Sequence, residues 1–220
     1  MKVLICGDSY CVTDPAYPGL HWSEKILDCS ADIEVINLAY GGCSNALVTM
    51  QLLSGLRFKP DFVVFSFTSD ARYEFDRDKK SCPVNFSPDE IAAYIKNRYQ
   101  TNNYTLTSQQ ETALASWLTE SSESFERIKN YFFVLLCLTL TKTQQIPFCY
   151  SLGGFAYQQD YVGFLNQHFV QNILAEFDQY QLRTNLWYYG DWQTNSPCFH
   201  VEDESVQQLF ANECVQHVRR

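Results

Sequence analysis

The amino-acid sequence predicts an α/β protein built around a parallel β-sheet. Two observations carry that reading. Short apolar runs at 2–6, 33–38, 62–67 and 148–152 alternate with stretches of helical periodicity, the rhythm of βαβ units. Composition agrees: in 220 residues, 46% are hydrophobic and 19% charged, enough apolar material for one packed domain and too much for wholesale disorder.

The elements follow in order. Residues 2–6 form a continuous apolar run closed by Gly7, the pattern of a strand buried on both faces. A helix-like stretch at about 22–27 leads to a second strand at 33–38. From Asn45 to Leu56, the residues Leu47, Met50, Leu53 and Leu56 recur at helical spacing. Lys59-Pro60-Asp61 then punctuates the chain before a third strand at 62–67. Residues 71–125 are polar and carry two helix starts. Ser87-Pro88-Asp89-Glu90 combines an N-cap, a proline at the first helical position and a capping-box glutamate, and Thr107-Ser108-Gln109-Gln110 repeats the box with glutamine. This stretch is too poor in apolar residues for a core of its own, so it is expected to be a helical insertion within a single domain spanning 1–220. A helix at 124–144 follows, its second half apolar nearly all round and hence expected to be buried. Pro147 introduces a fourth strand at 148–152, closed by Gly153-Gly154. A helix at 161–181 leads to an expected last strand at 185–189, and residues 203–218 close the chain as a helix.

Charge and cysteine usage bound the function. Sixteen Lys and Arg against 25 Asp and Glu leave a net charge of −9, which disfavours a nucleic-acid partner, because neutralising phosphates needs clustered basic side chains. The longest apolar stretch, Tyr131 to Leu140, is half the roughly 20 residues a membrane-spanning helix needs, so no membrane partner is expected. Cysteine occurs an odd number of times, nine, and Cys6, Cys137 and Cys149 sit inside apolar runs where a free thiol behaves as a small hydrophobe. Neither Cys-x-x-Cys nor His-x-x-x-His occurs, so no metal site is expected. The opening run leads straight into Gly7-Asp8-Ser9 without a small-residue cleavage site. With free thiols, that makes a reducing, cytoplasmic location the expectation. Neither Gly-x-x-x-x-Gly-Lys nor Gly-x-Gly-x-x-Gly is present, and no cofactor is expected.

In an open parallel sheet, functional groups gather beyond the carboxyl ends of the strands. Three features fall there. Gly7-Asp8-Ser9 follows the first strand and presents a hydroxyl on a sharp turn, with a backbone N–H able to face a developing oxyanion. Asn37-Leu38-Ala39-Tyr40-Gly41-Gly42 follows the second, where glycine permits close backbone approach and makes the Gly42 N–H a candidate donor. Thr68-Ser69-Asp70-Ala71-Arg72 follows the third. A serine nucleophile also needs a base. Of the four histidines, His200 lies in the loop immediately before the last helix, on the rim the serine would share, whereas His21, His168 and His217 belong to an early loop or helix start, a helix and a frayed end. Taken alone, Ser9 suits a helix N-cap equally well. Trp22 and the aromatic run 186–192 suit either a cleft wall or the core.

These blocks in this order resemble the SGNH (GDSL-type) hydrolases: Gly7-Asp8-Ser9, Asn37 with Gly42 five residues on, Pro60-Asp61 leading a strand to a polar turn, and His200 before the closing helix. The resemblance runs over essentially the whole chain, with 71–125 as an addition. It implies a flavodoxin-like three-layer α/β/α sandwich and hydrolysis of a small-molecule or glycan ester without a cofactor. Ser9 would be the nucleophile and His200 the general base, with the Ser9 and Gly42 N–H groups in the oxyanion hole.

The chain departs from the family pattern twice. The family's Asp-x-x-His would put a carboxylate at position 197, which is Pro197 here. Asp203, Asp191 or a backbone carbonyl is left to orient the ring, and losing that partner in a triad can lower the rate by about 10⁴. The family's Gly-x-Asn-Asp turn after the third strand maps onto Ser69 or Asp70. An ionised Asp repels an oxyanion, so Ser69 is the expected donor, with Thr68, Arg72 and Asn45 as alternatives. The same departures define a second reading, a catalytically silent relative kept as a binding or structural module.

Overall fold

Four parallel strands make the central sheet, in the order β2-β1-β3-β6. They are β1 (Lys2–Gly7), β2 (Glu34–Asn37), β3 (Phe62–Ser66) and β6 (Phe148–Ser151). The structure, a computed structural model, describes residues 1–13, 17–29, 32–68, 72–74, 81–83, 112, 123–152, 174–189, 201 and 203–219. The strand register sets Val3 against both Val35 and Phe62, and Ser66 against both Gly7 and Ser151, so the carboxyl ends of β1, β3 and β6 finish level. Pro60-Asp61 starts β3 by docking on β1: the Asp61 carboxylate accepts the Lys2 N–H at 2.7 Å, and the Asp61 N–H donates to the Lys2 carbonyl at 2.9 Å.

The period of two along each strand divides the core into two clusters. Val3, Ile5, Phe62, Val64 and Cys149 face one layer, formed by α1 (Trp22–Cys29) and α4 (Glu204–Val218). Leu4, Cys6, Val63, Phe65, Phe148 and Tyr150 face the other, formed by α2 (Asn45–Gly55) and α3 (Glu123–Thr143). The result is a three-layer α/β/α sandwich, as expected. Asp203 caps α4, its Oδ1 accepting the Ser205 N–H at 2.8 Å.

The described residues add local detail to these expectations and correct some of them. Residues 186–189 form a 3₁₀ turn rather than a strand, with Leu186 buried against the α1/α4 layer and Tyr189 exposed. The sheet's far edge instead gains a single parallel bridge, Tyr150 to Gln181. Within 71–125, the described residues include an antiparallel pair, β4 (Arg72–Glu74) and β5 (Ser81–Pro83), while the two helix starts at 87–90 and 107–110 lie outside the described residues. The helix expected at 45–56 is α2, on which Met50 and Leu53 are 56% and 49% exposed while Asn45, Val48, Thr49, Gln51 and Leu52 are buried. On α3, Val134, Cys137 and Leu138 are buried but Phe132 and Leu136 are exposed, because only one side of the helix meets the sheet. Of the expected 161–181 helix, residues 161–173 lie outside the described residues, and its end closes as a 3₁₀ turn at Asp178–Tyr180. Among the described residues, no helix is long and apolar enough to cross a membrane.

Candidate active site

The strand order reverses between β1 and β3: the chain passes from β1 out to β2, then returns to the other side of β1 as β3. Loops leaving the carboxyl ends at such a switch point diverge and open a crevice. The loops after β1, β2 and β3 are the three singled out above.

The first loop begins at Gly7. A Cβ built there would lie 2.5 Å from the Cys11 Sγ and 2.9 Å from the Ser66 carbonyl oxygen, so any side chain collides with neighbours on two sides. Residues 8–11 make a turn closed by the Cys11 N–H on the Asp8 carbonyl at 2.9 Å. The Asp8 side chain accepts the Tyr10 N–H at 3.1 Å, an Asx turn that gives this aspartate a structural role. Ser9 sits within the turn, 6% exposed. No helix follows directly, since α1 starts at Trp22, and the N-cap reading of Ser9 is set aside.

The next carbonyl, that of Tyr10, is held from two sides: the Trp22 indole N–H donates to it at 2.7 Å and His21 Nε2 at 3.0 Å. His21 Nδ1 accepts the Ser23 N–H at 3.2 Å and lies 2.7 Å from the Ser23 hydroxyl, which assigns the proton to Nε2. Burial lowers the His21 pKa to about 4, so the ring is a neutral structural donor and not a general base. Trp22 is fully buried, a core residue rather than a cleft wall.

Three carboxamides sew the loops together. Gln51 clamps the Gly7 peptide group, its Oε1 accepting the Gly7 N–H at 2.7 Å and its Nε2 donating to the Gly7 carbonyl at 3.1 Å. Asn37 donates to the Cys11 carbonyl at 2.7 Å and accepts the Ala39 N–H at 2.9 Å, joining the first loop to the second. Asn45 accepts the Thr68 N–H at 2.9 Å and donates to the Thr68 carbonyl at 3.1 Å, fixing the start of the third. That engagement ties Asn45 to the loop backbone through its carbonyl oxygen and one of its two amide N–H groups. The Gly7 carbonyl also receives the Tyr40 N–H at 3.0 Å and the Cys43 thiol at 3.4 Å, so the Gly42 loop converges on the end of β1 from both of its sides. Gly42 has φ of +75°, a left-handed conformation in which glycine alone is unstrained.

Ser9 and Gly42 therefore share one edge of the sheet. Ser69 and His200 lie outside the described residues. Val201, the residue after His200, is buried in the same apolar cluster as Tyr10 and Cys11. Gln51 went unnoticed in the sequence; its one signal is a polar residue flanked by Met50 and Leu52 in an otherwise apolar helix. Burial, and secondarily Asp8, pushes the Cys11 thiol well above its usual range, and burial does the same for Cys6, so neither competes with Ser9 as a nucleophile. Among the described residues, no group of three or more His, Cys, Asp or Glu is placed to hold a metal ion.

No protein-family model matches the chain, and neither does any curated protein. Solved structures do. The psychrotrophic esterase EstA from a Pseudoalteromonas species, in a structure inhibited by monoethylphosphonate, is similar at a TM-score of 0.53 and 11% identity, over 99% of this chain and 96% of its own. The structure of TesA is similar at 0.53 and 11% identity, over 100% and 98% of the two chains. A member of the lipolytic G-D-S-L family from Veillonella parvula aligns at 0.48 and 12% identity, over 98% and 96%. At these identities the likeness is one of fold. The chain shares the α/β/α architecture of the EstA and TesA structures, aligned end to end.

Proposed function

We propose that this chain is a divergent SGNH hydrolase that cleaves a carboxylic ester of a small molecule or glycan. Ser9 attacks the ester carbonyl while His200 takes its proton. The tetrahedral oxyanion is held by the Ser9 and Gly42 N–H groups, with Ser69 as a further donor. His200 returns the proton to the departing alcohol, and water then releases the acyl group by the same route. The observation that carries the reading is the common burial of Tyr10 and Val201, neighbours of Ser9 and His200, in one cluster beside the switch point. Two further features support it: the Gly42 loop meets the Gly7 carbonyl, and the 71–125 stretch leaves the sheet directly after the third loop, where an insertion can select the acyl or alcohol group. Cys6, Cys11, Cys29, Cys43, Cys137, Cys149 and Cys214 are free thiols, which suits a reducing, cytoplasmic setting.

An organophosphonate probe tests the reading. The expected result is one phosphonyl adduct on Ser9, seen by intact mass and peptide mapping, and none in Ser9→Ala. Pro197 in place of the orienting aspartate favours the alternative, a silent binding module. A folded wild-type chain that takes no label and turns over no short-chain p-nitrophenyl ester would establish that alternative instead.

A further inference from the structure

We infer that Gln51 is a positioning residue for the oxyanion hole, an inference that deepens the catalytic reading above and rests on it. The two backbone donors of that reading belong to Ser9 and Gly42, and the loops that carry them meet at Gly7. Gly7 lies past the last β1–β2 pair, Ile5 with Asn37, so its groups on that side are met by a loop and a helix instead of a strand. Its carbonyl takes the Tyr40 N–H at 3.0 Å, the Cys43 thiol at 3.4 Å and Gln51 Nε2 at 3.1 Å. Tyr40 and Cys43 bracket Gly41-Gly42, so both ends of that two-glycine turn are fastened to one oxygen. In the other direction the chain runs from Gly7 into the Ser9 turn two residues on. The aim of the Gly7 carbonyl therefore sets where the two donors stand relative to each other.

Sterics demand glycine at position 7, yet glycine restricts its own φ and ψ less than any other residue. Gln51 supplies the missing restraint. Its Oε1 accepts the Gly7 N–H at 2.7 Å while its Nε2 holds the Gly7 carbonyl, so one planar amide fixes the peptide groups on both sides of those two dihedrals. Only a group that accepts and donates together can do this. Methionine fills the volume with neither function, and asparagine is one methylene short. Gln51 is 7% exposed and lies on α2, the helix into which the Gly42 loop leads. That helix has independent fastenings: Val48 and Leu52 are fully buried, and the Thr49 hydroxyl lies 3.3 Å from the Cys137 thiol of α3. Losing the Gln51 amide thus frees the Gly7 joint without unseating α2. A donor displaced by about 1 Å can lower turnover by about 10²-fold.

Gln51→Met is compared with wild type and with Leu138→Ala, a core truncation on α3 away from the loops, where circular dichroism shows all three folded. With p-nitrophenyl acetate, Gln51→Met should lose about 10- to 100-fold in kcat with KM nearly unchanged. Leu138→Ala should keep a kcat close to that of wild type. Phosphonylation of Ser9 should slow in Gln51→Met by the same factor as kcat, because charge gathers on the phosphoryl oxygen as it does on the ester oxygen. An unchanged kcat, an unchanged phosphonylation rate, a loss confined to KM, or an equal loss in Leu138→Ala would each overturn the inference. If Gln51→Met does not fold, Gln51→Asn decides by the same measurements. A wild type that neither hydrolyses ester nor takes phosphonate fails the catalytic reading and this inference with it. A wild type that does both, beside a Gln51→Met that matches it, sinks the inference alone.

Discussion

At the scale of single residues, the site is governed by close approach and by one neutral imidazole. The missing Cβ of Gly7 leaves the space that the Cys11 thiol and the Ser66 backbone occupy. Gly7→Ala is expected to destabilise the fold by about 1–3 kcal/mol through overpacking, read as a lower urea midpoint with an unchanged m-value. His21 makes stability depend on pH in a defined direction. The folded ring titrates at about 4, against 6.5 in the unfolded chain. Above pH 6.5 both states are neutral and the His21 contribution is complete. As pH falls from 6.5 toward 4, the unfolded chain binds a proton that the folded one refuses, and stability declines by on the order of 3 kcal/mol before levelling off. His21→Gln keeps a donor for the Tyr10 carbonyl and cannot titrate. Urea melts at pH 7 and pH 4.5 should show a smaller loss in that variant, and parallel losses in the two proteins would refute the assignment.

At the scale of elements, polar side chains decide how the helices seat on the strand ends. The sheet-facing side of α2 carries two carboxamides, Asn45 and Gln51, each gripping a peptide group of a loop or strand end. Met50 and Leu53 on the same helix face outward. This inverts the usual ranking of mutational effects. Gln51→Leu strands the buried Gly7 N–H and is expected to destabilise by about 1–3 kcal/mol, whereas Met50→Ala changes stability by no more than about 0.5 kcal/mol. Thermal melts of the two variants check the order, and a larger loss for Met50→Ala would reverse the picture of which face is bound. α1 and α4 show the same principle, with Gln207 and the Lys25–Glu204 pair adding directional contacts to the apolar cluster between them.

At the scale of the whole molecule, the proposed function requires the two ends of the chain to meet beyond the carboxyl ends of the strands. Ser9 leaves the central strand. Val201 enters the last helix, which packs on the sheet face beside α1. α1 and α4 thus share a layer, and Tyr10 and Val201 are buried in its apolar cluster.

The alternation of apolar runs and helical stretches determined the sheet, its parallel sense and four strand positions, because burial on both faces leaves a local mark at 2–6, 62–67 and 148–152 that needs no knowledge of partners. The Gly-Asp-Ser turn was legible for a similar reason: glycine at a strand end and a short polar turn are local demands. Three-dimensional packing alone decided the rest. The spacing of Leu47, Met50 and Leu53 cannot say which side of α2 meets the sheet, because Val48 and Leu52 offer a competing stripe and the choice follows from where the Gly7 and Thr68 peptide groups wait for partners. Leu186 to Tyr189 reads as a strand until the sheet edge is seen to be served by Gln181. Nothing in one dimension says which groups Gln51 and Gln207 join, since Gly7 lies 44 residues from the one and Trp22 185 from the other. A hydrogen bond between distant residues has no periodicity, and only the folded chain reveals it.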